Sequence, residues 1–346
     1  MKYFEHKKLT NLMDEELKKR NVIPESRTHV VECLIQTSLR GVDSHGINLF
    51  PHYSRAVEAN RINGNPSIKI SKSSKSTSVV DADHAFGHHS GAFAMEHAIK
   101  LAKETGIGAV SVINSTHFSA AAYYGLMAAN CDCIGFAFTN ADALVKAFGA
   151  KEAFFGTNPI CFTAPLKNEG PLCLDMATSL VSWNKIMNYR REDQSLPDNW
   201  AFDEDGRMVT NPHHATSLNP VGEYKGFGLG MMVDILCSIL SGGIMGKDLR
   251  AMYALPLDEK KRQVGHFFMA IDFEKFCEPT QFKQSMQSMV DRIRGMSQLD
   301  LGSQVMVPGD PEKKSYEKRV VEGIPVDEIK YAEFLAINPE FSEAVI

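Results

Sequence analysis

From about residue 76 to residue 190 the chain alternates strand-like and helix-like segments, and this alternation limits it to an α/β layer. The strand-like runs are "STSVVDAD" (76–83), "GAVSVIN" (108–114), "IGFAFTN" (134–140), "NPICFTAP" (158–165) and "PLCLDMA" (171–177). Between and after them lie helix-like runs: "HSGAFAMEHAIKLAKETGIG", starting near Ser90 and ending at Gly106, "SAAAYYGLMAANC" (119–131) and "TSLVSWNKIMNYR" (178–190). Amphipathic helices are expected over 8–20 and 26–40, the second capped by Ser26 or Thr28. The pattern is helical again from about 280, after a late strand, "VGHFFMAID".

The ends are thus helical and the middle is α/β. The expected organisation is a helical domain formed by both chain ends (1–75 and 266–346) and a mixed α/β domain over 76–265 that binds cofactor and substrate. The region 190–222 reads as a long loop or lobe. "GFGLGMMVDILCSILSGG" (226–243) is almost wholly apolar but too short to span a bilayer, and is expected as a buried central helix.

Several function classes are disfavoured. The net charge is −5, without a sustained basic run, which argues against a partner held through its phosphate backbone. No run reaches the about 18 uninterrupted apolar residues of a membrane helix. The charged N-terminus lacks the apolar core of a signal peptide, so the expected location is cytoplasmic. Seven irregularly spaced cysteines fit reduced, buried thiols better than disulfides or zinc ligands. The 12 histidines show no metal-binding spacing, and no metal is expected. G-x-G-x-x-G after a strand and G-x-x-x-x-G-K-[ST] are both missing, which disfavours a standard Rossmann domain and a P-loop.

The most unusual segment is "RGVDSHGINLF" (40–50), where a helix runs into a hinge holding Asp43, Ser44 and His45 between two glycines. Adjacent residues rarely share a hydrogen bond, so a Ser44 nucleophile with His45 as its base is disfavoured. Two readings of His45 stay open: an acid/base facing a cleft, or a histidine at a helix C-terminus interacting with the helix dipole.

Six segments, "RGVDSHGINLFPHY", "NSTHFSAAAYY", "FGTNPICF", "LDMATS", "EYKGFGLGMMVD" and "VPGDPEKK", occur in the order and spacing of a known family. Together they resemble the type 2 malate/L-lactate dehydrogenases, a family that also holds sulfolactate, ureidoglycolate and diketogulonate oxidoreductases. The resemblance implies hydride exchange between NAD or NADP and a 2-hydroxy or 2-keto acid, a homodimer, and a non-Rossmann mixed sheet with a helical domain. Malate/oxaloacetate is the leading pair. Another 2-keto acid, a cyclic imine acid, or a catalytically silent nucleotide-binding relative are the alternatives.

The resemblance also assigns residues. His45 becomes the acid/base, and Ser44 a partner of substrate or nicotinamide. His117 becomes a second polar contact to substrate, or else a helix-entry residue. Asp175 is placed beside the nicotinamide, while its position after a strand also suits an N-cap. Met176, Ala177, Thr178, Ser179 and Leu180, then Lys225, then the backbone at Gly309, Asp310 and Pro311, match cofactor-contacting stretches. Many relatives carry an arginine that forks onto the substrate carboxylate four residues after the histidine; here that position is Leu49. Lys146 is the substitute cation the sequence offers, or else a solvated lysine. Lys185 and Arg190 are the candidates to meet a 2′-phosphate, should the cofactor be NADP.

Overall fold

A computed structural model describes every residue except 254–259 and 301. Its largest sheet has seven strands in the order Lys69–Ser73, Thr77–Asp81, Ile107–Ser115, Val264–Ile271, Ile134–Thr139, Ile160–Ala164, Leu172–Met176. Only Thr77–Asp81 and Ile107–Ser115 pair in parallel; every other neighbouring pair is antiparallel, so the sheet is mixed. The late strand Val264–Ile271 lies at its centre, where "VGHFFMAI" is nearly all buried.

Strand alternation sorts the central residues onto two faces. Phe268 and Ala270 pack with Met95, Ala98 and Tyr124 of the helices Gly87–Thr105 and Ala121–Asn130. Phe267 and Met269 face the other way, against Val233 and Cys237 of the helix Tyr224–Cys237. The helix Gly87–Thr105 begins three residues before the Ser90 expected from sequence and ends, as expected, at Gly106, whose φ of 94° favours glycine.

The two chain ends share one core. Leu9, Met13 and Leu17 of His6–Lys19 and Val30, Val31 and Leu34 of Pro24–Leu39 meet Ile324, Phe334 and Phe341 from the C-terminus. The short strands Lys2–Phe4 and Ile324–Val326 pair antiparallel beside it. Neither Ser26 nor Thr28 caps the second helix. Its cap is Ile23 with no side-chain bond, and Pro24 sets the first turn with its fixed φ. The helix Pro279–Arg294 lies elsewhere: its Val290 packs with Leu166 and Val307.

Two further expectations are corrected. The region 190–222 supplies strands Ala201–Phe202, Met208–Val209 and Ser217–Leu218 to a second sheet, with Val145–Lys146 and Ala153–Phe155. The helix Tyr224–Cys237 is not buried all round: Leu229, Met231, Met232 and Ile235 are exposed, as are Ile239 and Leu240 just beyond it. Gly226, Gly230, Val233 and Cys237 are buried, while Gly228 and the long apolar side chains lie outward. By length and composition Tyr224–Ser241 would suit a membrane span. However, buried Asp234 accepts the Gly246 N–H, and one face packs on the sheet.

Candidate active site

The hinge 40–50 is shaped by two glycines. Gly41 has φ 87°, open to glycine without strain. At Gly46 a Cβ would lie 2.0 Å from Ser38 Oγ, so no larger residue fits unless the serine moves. Ser38 Oγ in turn accepts the Ile47 N–H at 2.9 Å. Asp43 is fixed from outside the hinge by Arg319, whose Nη1 and Nη2 donate to its two carboxylate oxygens at 2.5 and 2.9 Å. Asp43 is therefore a brace between the hinge and the C-terminal helix Asp310–Glu322.

Within this turn Ser44 Oγ and His45 Nδ1 lie 2.9 Å apart. The expectation that neighbours would not share a hydrogen bond is corrected: the tight turn brings together two side chains that a helix or strand would splay. His45 stacks on His117, ring centroids 5.7 Å apart at 27°. Burial lowers the His45 pKa to about 4, so the ring is neutral at pH 7. Ser119 Oγ donates to the His45 carbonyl and ties the hinge to the loop that carries His117.

His117 leaves the end of the strand Ile107–Ser115. Its Nδ1 lies 2.6 Å from the Tyr53 hydroxyl and 3.3 Å from the Ser119 N–H. A backbone N–H only donates, so Nδ1 is the acceptor and Nε2 carries the proton of the neutral ring. Burial is the main cause holding His117 well below the usual histidine range, followed by the His45 and Arg262 charges.

His117 also lines a small cavity with His52, Tyr53, Arg61 and Arg262. Arg262 is buried at the mouth of the central strand. Its Nε donates to the Arg250 carbonyl at 3.0 Å, and its Nη2 to Asp142 Oδ1. Its Nη1 is buried with no hydrogen-bond partner among the described residues. His52 is pushed down to about 3, first by burial and then by the positive charges of Arg262, Arg61 and Arg55. The cavity is lined by two arginines and no carboxylate, and its free space of about 10 Å³ is that of a single water. Sequence reasoning missed Arg262, because a cation just before an apolar strand reads as its solvated flank; its only signal is a place next to "VGHFFMAID".

Leu49 and Lys146 stand apart from this cavity. Leu49 is buried in the helical core with Phe50. Lys146 belongs to the second sheet, where its Nζ lies 4.2 Å from the Phe202 ring centroid and lines a separate cavity with Phe148, Pro220 and Glu223.

The expected cofactor segments line up along the outermost strand, Leu172–Met176. Asp175 Oδ2 accepts the Ala122 N–H at 2.8 Å, capping the helix Ala121–Asn130 rather than the helix that follows it in sequence. The residue is exposed in the single chain; desolvation raises its carboxyl above the ordinary aspartate range, and the Ala122 N–H opposes that rise. Thr178 accepts the Val221 N–H through its carbonyl at 2.9 Å, which ties the stretch 176–180 to the turn before Lys225. The stretch is extended; the following helix is Trp183–Arg191, capped by Ser182, and so starts later than expected. Lys225 is exposed at the first turn of its helix. Gly309, with φ 97°, starts the helix Asp310–Glu322, and the Pro308 carbonyl accepts the Cys173 N–H at 3.2 Å on the same strand. The Asp310 carboxylate is held by Arg294, which also forks onto Glu169. Lys185 lies over the Trp200 ring, and Arg190 donates to the Pro212 and Ala215 carbonyls.

This arrangement of paired imidazoles, a small arginine-lined cavity and an open strand edge can now be set beside known proteins. The malate/L-lactate dehydrogenase family model matches residues 4–334. The chain belongs to that family. It is an oxidoreductase of the kind that acts on a hydroxyl group. A malate dehydrogenase of Pyrococcus abyssi is 38% identical over 307 residues, 86% of this chain and 83% of the relative. The NAD(+) ureidoglycolate dehydrogenase of Escherichia coli is 30% identical over 320 residues, 92% and 90% of the two chains. The solved sulfolactate dehydrogenase of Methanocaldococcus jannaschii superposes with a TM-score of 0.90 at 33% identity, covering 98% of this family member and 97% of that chain.

Proposed function

We propose that the chain is a NAD(P)-dependent 2-hydroxyacid dehydrogenase, with malate/oxaloacetate the leading pair. The observation that carries this reading is Arg262 Nη1, without a hydrogen-bond partner among the described residues, beside a small cavity shared with His117, one ring away from His45. A substrate carboxylate would receive the Arg262 N–H, in place of the arginine that Leu49 replaces. The C2 oxygen would then lie toward the two imidazoles. His45, neutral at pH 7, accepts the proton of the alcohol when the hydroxy acid is oxidised, and Ser44 orients its ring. His117, its Nδ1 held by Tyr53 and Ser119, presents an Nε2–H to the same oxygen and stabilises charge there. Lys146 has no part in this site.

A nicotinamide dinucleotide fits the open edge. Asp175, Leu180 and Lys225 are all exposed along it, and Lys225 adds a cation at the first turn of its helix, where phosphate is attracted. When bound, the nicotinamide supplies the hydride donor or acceptor. The 176–180 stretch and Gly309–Pro311 would hold it against Asp175. Lys185 and Arg190 are both engaged elsewhere, which favours NAD over NADP, and the E. coli relative is named for NAD(+). The outward apolar face around Leu240 supports a homodimer, and seven free cysteines support a reducing, cytoplasmic location. Both chain ends form one helical domain in this reading, with the boundaries of the α/β domain moved outward to include Lys69–Ser73 and Val264–Ile271.

The test is loss of reduced-nicotinamide absorbance with NADH and NADPH separately, against oxaloacetate, pyruvate, other 2-keto acids and cyclic imine acids. Oxaloacetate with NADH is expected to be fastest. A folded protein that turns over none of these acids would refute the reading.

A further inference from the structure

The central strand of the sheet carries one polar side chain in its most buried stretch, "GHFF". His266 is fully buried between Phe267 and the bulge at Val264. An imidazole in an apolar layer is costly unless its nitrogens are bonded, and both are. His266 Nδ1 lies 2.7 Å from Thr139 Oγ1, on the strand to one side. His266 Nε2 lies 2.8 Å from Ser115 Oγ, on the strand to the other side. Each hydroxyl can donate or accept, so the pair is satisfied whichever nitrogen carries the proton. The chain continues from Ser115 Oγ to Ser90 Oγ at 2.7 Å, at the start of the helix Gly87–Thr105.

Both contacts fall where a strand runs into the site. Ser115 is two residues from His117, and Phe118 stacks on the His266 ring at 4.8 Å and 9°. Thr139 is three residues from Asp142, the carboxylate that holds Arg262. Asn140, between them, accepts the Gly265 N–H at 2.9 Å through its Oδ1. Arg262 itself is four residues before His266 on the same chain segment. One ring therefore bonds the two strand ends that carry His117 and the Arg262 partner, and lies on the segment that carries Arg262.

We propose that His266 is a positioning residue that sets the placement of His117 relative to Arg262, and with it the geometry in which a 2-keto acid is held. The proposal rests on the reading of the reaction given above. A leucine or phenylalanine would fill the same core volume, but it would leave Ser115 with only Ser90 and the Thr116 carbonyl, and Thr139 with only the Asn140 and Gly265 carbonyls, and no side-chain bond would then join the two strand ends. A displacement of about 1 Å in such a constellation costs on the order of 10²-fold in rate.

The experiment compares wild type, His266→Phe and His266→Gln as full-length protein. It reads three quantities: kcat and KM for oxaloacetate, NADH affinity by fluorescence, and 15N-histidine NMR of the ring nitrogens. The Phe variant is expected to lose about 10- to 100-fold in kcat/KM with NADH affinity within twofold, and to move the His117 ring resonances. The Gln variant, which keeps one donor and one acceptor, is expected to recover part of the loss. If the Phe variant does not fold, Ser115→Ala removes the Nε2 bond together with the bond to Ser90 and is expected to shift kcat/KM and the His117 resonances in the same direction, while Ser90→Ala, which keeps the Nε2 bond, is the control and is expected to leave both in place. A folded Phe or Ser115→Ala variant with kcat/KM within twofold and unmoved His117 resonances overturns the proposal. If wild type reduces no 2-keto acid, the reading of the reaction fails by itself, and the His117 resonances alone then decide whether His266 positions that ring.

Discussion

Tyr53 Oη and His117 Nδ1 are 2.6 Å apart, joining a core residue of the N-terminal helices to a ring at the end of a central strand. With the Ser119 N–H this bond occupies Nδ1 and leaves Nε2–H as the ring's donor. Tyr53→Phe keeps the packing and removes one of the two donors. Losing a hydrogen bond worth about 0.5–1.5 kcal/mol is expected to lower kcat by about 3- to 10-fold, with the melting temperature little changed. Steady-state kinetics beside a thermal melt check this.

Arg262 separates substrate binding from cofactor binding. Arg262→Lys keeps a charge but loses the fork, and Arg262→Leu loses both. A charge-assisted bond is worth about 1.5–3 kcal/mol, so KM for the keto acid should rise by about 10- to 100-fold in the Leu variant and less in the Lys variant. NADH affinity should stay within twofold in each. A Leu variant with an unchanged KM would remove Arg262 from the substrate. Lys146→Met, by contrast, is expected to leave KM unaltered.

Asp175 makes stability depend on pH in an unusual direction. Burial raises its pKa from 3.8 to about 6, so the folded state holds its proton more tightly than the unfolded state. Its contribution to stability is then fully present below about pH 4 and is lost as pH rises through about 6. Asp175→Asn, which keeps an acceptor for the Ala122 N–H, should raise the melting temperature more at pH 7.5 than at pH 5. Melts at the two pH values measure the difference. An equal shift at both would show that the carboxyl is not titrating there.

The outward face of the helix Tyr224–Cys237 predicts assembly. Ile239 and Leu240 are 56% and 59% exposed in the single chain, next to Met231, Met232 and Ile235. A continuous apolar surface of this kind marks an interface. Wild type should sediment as a dimer and Leu240→Glu as a monomer. A monomeric wild type would leave that face without a second copy to cover it.

The parts of this structure that were legible in the sequence are those written locally. Strand and helix periodicity located five strands of the large sheet between 76 and 177 but not the short Val145–Lys146 and Ala153–Phe155, and Gly106 marked a helix end. The order of the sheet was not legible, because "VGHFFMAID" reads only as a late strand, and nothing local says that it enters between Ile107–Ser115 and Ile134–Thr139. The open face of Tyr224–Cys237 was misread because apolar content shows that a helix side will be covered, not by what. In the site, Ser44 and His45 were visible as an unusual hinge, but their hydrogen bond depends on turn geometry around Gly41 and Gly46. Arg262 was invisible for a similar reason. Its value comes from an Nη1 without a hydrogen-bond partner among the described residues, beside a cavity that only the assembled fold creates. Asp175 was expected as a cap, and it is one, for a helix more than 40 residues earlier in the chain.

The proton-transfer role of His45 is best measured by comparing wild type with His45→Ala in the reduced-nicotinamide assay with oxaloacetate, with NADH binding followed by fluorescence. Removing a positioned acid/base lowers turnover by about 10²- to 10⁴-fold. That loss, with NADH affinity unchanged, is the expected result. A His45→Ala protein that binds NADH and keeps turnover within a few-fold of wild type would place the proton on another group, with His117 the first to substitute.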